Sequence, residues 1–512
     1  MQVGDFIRLH AVNIGHETAL VCGDRRLSYA EVNREINRAA HALILAGVRQ
    51  GDRVAALGRN SLPYFCLYFA TAKIGAILVP LNFWHRAEEH KYVLTDAAPV
   101  MAFIDAEFTA VVDEALAGAS PLPMVALTGA LANGKAWDAF IAGQAEGEPA
   151  VAPAYDWPHM ILYTSGTTGR PKGAVLTHGR TVQDAFGMAS ALRVRQTDTF
   201  INFFPSFHVG NWDHQKLFLL LGATIVLMPQ FDAELVLKAI ARERVTVLLG
   251  VPTMLHALLT HPTFAGTDCS SIRLVYYGAY DPSGILARTA DTFGAREGKV
   301  EMAHTYGLTE AGPFVTLCPP EQVFRHWGSI GRAVPGVEVA LLDDDGQPVP
   351  AGSPGEICVR GPRMVGYWNK PEASAAALAG GWLHTGDIGV TDAEGFLSIV
   401  DRKKDMIRSG GQNVFSKEVE DCLSGHPAVA DVAIIGLDDP VYEELVCAVV
   451  VLRPGAVPGE ALKADLAAYL RGRIAGYNTP KVITFIDALP KNAVGKIQKH
   501  ILREQYRRLP PK

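Results

Sequence analysis

The sequence predicts an α/β protein: a large N-terminal domain of two doubly wound α/β lobes plus a small β-rich lobe, followed by a smaller α+β C-terminal domain. Three observations predict it. Short, unbroken apolar runs alternate with helical segments up to about Arg325, the pattern of parallel strands buried on both faces by helices. The same strand–helix order occurs twice. The texture then changes at about Arg325, to closely spaced turn-rich strands, and again at Asp401, to a separate α+β pattern. A chain of 512 residues is long enough for about three domains or lobes.

In chain order, residues 52–57 read as a buried strand, 64–73 as an apolar helix, 75–80 as a strand, 88–94 as a helix and 100–104 as a strand. Residues 117–153, rich in Ala, Gly and Pro, read as irregular connections. The echo follows: strand 199–204, helix 215–221, strand 222–229, helix 233–244 and strand 245–249. Residues 337–342 and 355–361 flank the turn-rich 343–348 as strands of the β-rich lobe. Beyond the charged run 401–405, helices are expected at 417–423 and 459–470, and strands at 432–435, 446–452 and 482–486. The expected domains are therefore 1–400, a linker at 401–402, and 403–512.

Composition excludes several classes. Hydrophobic residues make up 49% and charged residues 20%, so neither a disordered chain nor a fibre is expected. With Lys plus Arg at 47 and Asp plus Glu at 53, the net charge is −6, which gives nucleic acid no broad basic footprint. The seven cysteines are scattered and never spaced as CxxC. A reduced, cytoplasmic setting fits them better than a disulfide framework or a structural zinc site. The first twenty residues lack the basic-then-apolar order of a signal peptide. The apolar run 217–228 is too short for a bilayer about 30 Å thick, and Lys73 interrupts 64–81, so no integral membrane association is expected.

The densest chemical signal is Tyr163-Thr164-Ser165-Gly166-Thr167-Thr168-Gly169-Arg170-Pro171-Lys172-Gly173, set between two apolar strands. Glycines let the backbone approach an anion, hydroxyls donate to its oxygens, and lysine adds positive charge. A polar hairpin is the plain alternative, but five donor side chains in nine residues favour phosphate. The spacing is not that of a Walker A loop, because Lys172 follows Pro171 and precedes Gly173.

Further motifs follow in order: Phe204-Pro205-Ser206-Phe207-His208-Val209-Gly210, Tyr306-Gly307-Leu308-Thr309-Glu310, Thr385-Gly386-Asp387, Asp401-Arg402-Lys403-Lys404-Asp405, Gly410-Gly411-Gln412-Asn413-Val414, and Pro490-Lys491-Asn492-Ala493-Val494-Gly495-Lys496. With these, nearly the whole chain resembles the adenylate-forming acyl-CoA synthetase superfamily, of the fatty-acyl and aryl-CoA ligase type. The resemblance implies a ligase that joins a carboxylic acid to the α-phosphate of ATP, releasing pyrophosphate, and then passes the acyl group to coenzyme A. It implies ATP and CoA as substrates, Mg²⁺ as cofactor, and a C-terminal domain that pivots at Asp401; it leaves a homodimer open.

It also implies roles. Thr164, Ser165, Gly166, Thr167, Thr168, Gly169 and Lys172 would hold the phosphates. Gly278, Ala279, Tyr280 and Tyr306 would border adenine, Thr309 would bond the α-phosphate, and Glu310 would ligate Mg²⁺. Asp387 and Arg402 would reach the ribose, with Asn413 among the nucleotide contacts. Lys496 would bridge the attacking carboxylate and the α-phosphate. His208 would gate the acyl and thiol pockets, and Gly410 and Gly411 would border the pantetheine arm.

Three departures stand out. Tyr280 follows Gly-Ala where a small residue or proline is common, and Ser416 stands where many relatives have proline. Trp212, Asp213 and His214 follow His208-Val209-Gly210-Asn211 where many relatives continue with apolar residues, and Asn211, Trp212 and His214 are the candidates for the acyl pocket. If they face the substrate, a polar or aromatic acid is favoured over a long alkyl chain; surface exposure is the other reading. Among alternatives, a carrier-protein phosphopantetheine could replace CoA as acceptor, a luciferase-like oxygenase could oxidise the adenylate, and a regulatory protein could bind nucleotide without turnover.

Overall fold

The computed structural model describes residues 1–164, 170–278, 284–312, 314–491 and 497–506. They form two compact units. One comprises the described residues of Met1–Ala279, Leu286–Val339 and Cys358–Thr385; the other comprises those of Tyr280–Ile285, Ala340–Ile357 and Gly386–Lys512.

The first unit holds two large sheets, and the sequence echo is an echo of topology. In the seven-stranded sheet, Arg53–Leu57 lies between Ile77–Pro80 and Met101–Ile104 and pairs parallel with both. In the nine-stranded sheet, Thr199–Asn202 lies in the same way between Thr224–Leu227 and Val247–Gly250, again parallel to both. Every residue of Ile77–Pro80, Met101–Ile104 and Val247–Gly250 is buried, which is why these strands read as continuous apolar runs.

Each sheet is larger than the echo. Within the stretch expected to be irregular, Met124–Ala126 and Lys135–Ala136 extend the first sheet, and Trp137–Ile141 is a helix. These strands of three and two residues carry too few side chains to show a period. The N-terminal hairpin Thr18–Cys22 and Arg25–Ser28 joins the second sheet, with Leu20 opposite Ile225.

Two helices repay attention. Leu62–Ile74 is buried along its length, begins with Ser61 accepting the Tyr64 N–H, and ends at Gly75, whose φ of +74° only glycine adopts cheaply. Its Lys73 ammonium donates to Asn33, Asn37 and Glu148, each at 2.7 Å, so the charge inside the apolar run is fully partnered. Val209–Leu220 starts six residues before the expected 215. Its early turns carry buried Asn211, Asp213, His214, Gln215 and Lys216, which erase the apolar signature of a core helix. Among the described residues, no helix is long and apolar enough to cross a membrane.

The turn-rich region forms a four-stranded sheet in the order Glu338–Leu342, Gly355–Arg360, Leu383–Thr391, Leu397–Arg402. Asp401, the expected linker, lies in the last strand and inside the second unit. Farther on, Val429–Asp439 and Glu443–Leu452 pair antiparallel, and Val482–Phe485 adds parallel to the latter. Side chains alternate as a strand demands: Val432 and Ile434 pack with Val419, Leu423 and Leu466, while Ala433 and Ile435 pack with Leu489 and Leu502. Helices thus cover both faces of this small sheet.

Candidate active site

Glu310 is the centre of one cluster. It lies in the single 3₁₀ turn Thr309–Ala311, and its backbone carbonyl accepts the Met364 N–H at 2.8 Å. Its Oε1 accepts the Thr164 hydroxyl at 3.0 Å and the Tyr367 hydroxyl at 3.1 Å. Thr164 ends the strand Pro158–Thr164 and pairs in register with Lys172 on the returning strand, and the Lys172 ammonium lies 5.3 Å from the centre of the Tyr367 ring. Burial, then the Glu310 carboxylate, pushes the Tyr367 phenol up. Thr164, Lys172 and Glu310, 146 residues apart at the extremes, are therefore brought together through Tyr367. Sequence reading passed over Tyr367. Its signal was the glycine-led aromatic pair Gly366-Tyr367-Trp368, whose backbone braces the lysine strand through Val175 N–H to Gly366 O (3.0 Å) and Trp368 N–H to Gly173 O (2.7 Å).

Tyr306 and Gly278 sit at neighbouring strand ends. Leu274–Tyr277 and Glu301–Tyr306 pair parallel, so both residues lie at the carboxyl ends of strands, where α/β sheets bind ligands. A Cβ on Gly278 would meet the Thr305 carbonyl at 3.5 Å, an ordinary contact, so this glycine keeps open space rather than a special backbone shape. Ser165, Gly166, Thr167, Thr168, Gly169, Ala279, Tyr280 and Lys496 lie outside the described residues.

His208 is exposed and caps the Val209–Leu220 helix: its Nδ1 accepts the Gly210 N–H at 2.9 Å. An Nδ1 that accepts leaves the proton of a neutral ring on Nε2. The three acyl-pocket candidates, Asn211, Trp212 and His214, are all buried, so surface exposure is not their explanation. They divide by role. Trp212 stacks on Tyr68 with ring centres 4.2 Å apart and donates Nε1–H to the Ser206 carbonyl at 2.6 Å, as a core aromatic does. Asn211 donates to Asn60 at 3.0 Å and accepts from Gln215 at 2.9 Å, inside a closed polar network. His214 bonds a polar ring atom to another aromatic side chain. Its Nδ1 lies 2.9 Å from the Tyr276 hydroxyl, its ring stands edge-on to Phe314 at 4.9 Å, and Phe204 lies at 6.5 Å. Burial, with His208 and Lys216 adding, lowers its pKa to about 3, so the ring is neutral.

In the second unit, Asp387 is buried and ion-paired with Arg402, whose Nε is 2.9 Å from Oδ1, in register across the two strands. Asp401 is buried as well; its carboxylate accepts the Arg402 N–H at 2.7 Å and both the N–H and the hydroxyl of Ser416. Gly410 and Gly411 have φ of +58° and +76°, so the turn they form requires glycine. Gly410 donates its N–H to the Tyr442 carbonyl at 2.8 Å, and the exposed Tyr442 ring flanks it. Asn413 is exposed on the next strand.

Family models match most of the chain: "AMP-binding enzyme" over residues 8–368 and "AMP-binding enzyme C-terminal domain" over 418–496. The indoleacetate–CoA ligase of Aromatoleum aromaticum is 36% identical over 510 residues, covering 98% of each chain. The long-chain-fatty-acid–CoA ligase FadD13 of Mycobacterium tuberculosis is 37% identical, covering 96% of this chain and 95% of its own. The crystal structure of the anthranilate CoA ligase AuaEII, in complex with anthranoyl-AMP, superimposes with a TM-score of 0.87 at 29% identity, over 99% of this chain and 97% of that one. This chain belongs to the AMP-binding enzyme family, as an acid–thiol ligase of the AMP-forming acyl-CoA synthetase type.

Proposed function

We propose that this ligase activates an aromatic carboxylic acid as its acyl-adenylate and transfers the acyl group to CoA. The observation that carries the choice of acid is the ring cluster around His214, which the helix that His208 opens carries: His214, Phe314 and Phe204 supply flat apolar faces, and the His214–Tyr276 pair supplies one buried polar contact. Such a lining favours a flat ring over a flexible alkyl chain, because a buried polar pair is costly beside hydrocarbon alone.

Adenylation brings an anionic carboxylate to a triphosphate, so the chain must neutralise charge and hold the partners in line. In this reading Lys172, Thr164 and residues 165–169 bind the β- and γ-phosphates, and Thr309 bonds the α-phosphate. The hard carboxylate oxygens of Glu310, oriented by two hydroxyls, suit Mg²⁺, which would lower the negative charge of the phosphates when bound. Tyr306 and Gly278 border the adenine, Asp387 and Arg402 take the ribose hydroxyls, and Lys496 stabilises the charge that builds between carboxylate and α-phosphate. The second half-reaction uses Gly410 and Gly411, which leave room for the pantetheine arm, with Tyr442 beside them as a stacking face; His208 gates thiol access, and the C-terminal domain pivots at Asp401.

The test is pyrophosphate release and thioester formation over a panel of aryl, arylacetic, phenylpropenoic and C6–C16 alkyl acids, with and without CoA. The expected outcome is CoA-dependent thioester from aromatic acids at a kcat/KM at least about tenfold above any alkyl acid. Preference for alkyl acids overturns the choice of acid; pyrophosphate without thioester moves the acceptor to a carrier protein.

A further inference from the structure

Asp96 sits in the last turn of the helix Ala87–Ala97, where the helix dipole disfavours a carboxylate. Its side chain is only 10% exposed and accepts from two directions. Oδ2 takes the Tyr163 hydroxyl at 2.6 Å, and Oδ1 takes the Lys370 ammonium at 3.2 Å. The Asp96 backbone carbonyl, one of the last of the helix, accepts Trp368 Nε1–H at 3.1 Å and the Asn369 amide at 3.0 Å. Any residue at 96 offers that carbonyl. The phenol and the ammonium need the carboxylate.

Both partners adjoin the groups that hold Glu310. Tyr163 precedes Thr164 on the strand Pro158–Thr164, and successive residues of a strand point to opposite faces. Tyr163 therefore turns to Asp96 while Thr164 turns to Glu310, giving its hydroxyl to Oε1 at 3.0 Å. Burial, then Asp96 itself, pushes the Tyr163 phenol up, so Tyr163 keeps its proton and remains the donor. Lys370 lies three residues after Tyr367, whose hydroxyl reaches the same Oε1 at 3.1 Å. Between them, the Trp368 N–H bonds the carbonyl of Gly173, the register partner of Tyr163, at 2.7 Å. Arg53 adds to the anchorage: its Nε donates to the Ala97 carbonyl at 2.8 Å, and its guanidinium lies 5.6 Å from the centre of the Trp368 ring. One carboxylate thus joins the two segments that supply Glu310 with its hydroxyl donors.

We propose that Asp96 is a positioning residue for adenylation: by tying Tyr163 to Lys370 it sets the separation of the Thr164 and Tyr367 hydroxyls, and so the orientation of the Glu310 carboxylate. This rests on the reading above that Glu310 serves Mg²⁺ at the phosphates. The effect is confined to the first half-reaction, because the second begins after pyrophosphate has left.

The experiment compares wild type with Asp96→Ala, Asp96→Asn, Tyr163→Phe and the Asp96→Ala/Tyr367→Phe double variant. It measures pyrophosphate release, thioester formation from supplied acyl-adenylate, and, by calorimetry without acid, the Mg²⁺ dependence of ATP binding. Asp96→Ala should slow adenylation about tenfold, the effect of losing a hydrogen bond to a charged group, and leave thioester formation within about twofold. The Mg²⁺ concentration at which ATP binding is half-tightened should rise at least about threefold in the same variant. Asp96→Asn, which keeps an acceptor for Tyr163, should stay within about threefold of wild type. Tyr163→Phe should show the same split between half-reactions at about threefold to fivefold. The double variant should fall well short of the roughly hundredfold product of independent losses, since Asp96 acts partly through Tyr367. Equal losses in the two half-reactions, an unchanged Mg²⁺ dependence of ATP binding in Asp96→Ala, or a fully multiplicative double variant overturns the proposal. So does a Tyr163→Phe enzyme with wild-type adenylation, a result that stands even if Asp96→Ala does not fold. A wild type that forms no AMP with any acid overturns the functional reading and this inference with it; an active wild type beside an equally active Asp96→Ala overturns the inference alone.

Discussion

Ser416 gives both its backbone N–H and its hydroxyl to the carboxylate of Asp401, and Lys499 donates to the same hydroxyl at 2.7 Å. A proline at 416, the residue the family resemblance leads one to expect, has neither donor. Asp401 needs them, because burial raises its pKa against the pull of Lys499 and these hydrogen bonds. Ser416→Pro therefore removes two hydrogen bonds from a buried carboxyl while pre-setting φ at the first residue of the helix Ser416–Ser424. The expected balance is a loss of about 1–2 kcal/mol in unfolding free energy, read by urea denaturation. Ser416→Ala, which keeps the N–H, should lose less; an unchanged midpoint in both variants would show that the strap contributes nothing.

Tyr367 and Thr164 donate their hydroxyls to the same oxygen, Oε1, of Glu310. Tyr367→Phe keeps the ring under Lys172 and deletes only the hydroxyl. Adenylation should slow by about tenfold, and the Mg²⁺ concentration giving half-maximal rate should rise. Pyrophosphate release across a Mg²⁺ titration reads both; a normal titration would remove Tyr367 from the metal side of the site.

Lys496 carries the prediction with the widest margin. Lys496→Ala should slow adenylation by about 10²–10³-fold and spare thioester formation from supplied acyl-adenylate. Equal losses in the two half-reactions would contradict its role.

His90 is completely buried, and neither ring nitrogen has a hydrogen-bond partner among the described residues. Burial first, then His85, lowers its pKa to about 4. The folded pKa lies below the unfolded value of about 6.5, so between these limits the unfolded chain binds the extra proton and stability falls as pH falls. His90→Leu should raise stability at pH 7 by about 1–2 kcal/mol, and the gain should be larger at pH 5. Denaturation at the two pH values tests it; a gain independent of pH would mean that His90 titrates alike in the folded and unfolded chain.

What could be read in advance follows from how each feature is encoded. The parallel strands of both large sheets are buried on two faces and announce themselves as apolar runs, so the repeated order was legible from 52–57 through 245–249. The stretch 163–173 and the Thr309-Glu310 motif stand out in the sequence because donors and glycines are concentrated within a few neighbouring residues. The early start of the helix after His208 was not, because five buried polar side chains hide its apolar face. Tyr367 was not, because its partners Thr164 and Glu310 are 203 and 57 positions away and no local pattern ties them together.

The amino-acid sequence alone determined the architecture and the chemistry, because strand periodicity and the residue types of a nucleotide site are local properties of the chain. Only the tertiary structure decided what the unusual stretch Asn211 to Lys216 does: Trp212 and Asn211 serve the core, His214 joins the aromatic cluster, and Asp213 and Lys216 pair with each other in the interior. The reason is geometric. A helix buried on all sides sends each side chain to a different neighbour, and which neighbour it meets depends on contacts with segments tens to more than a hundred residues away.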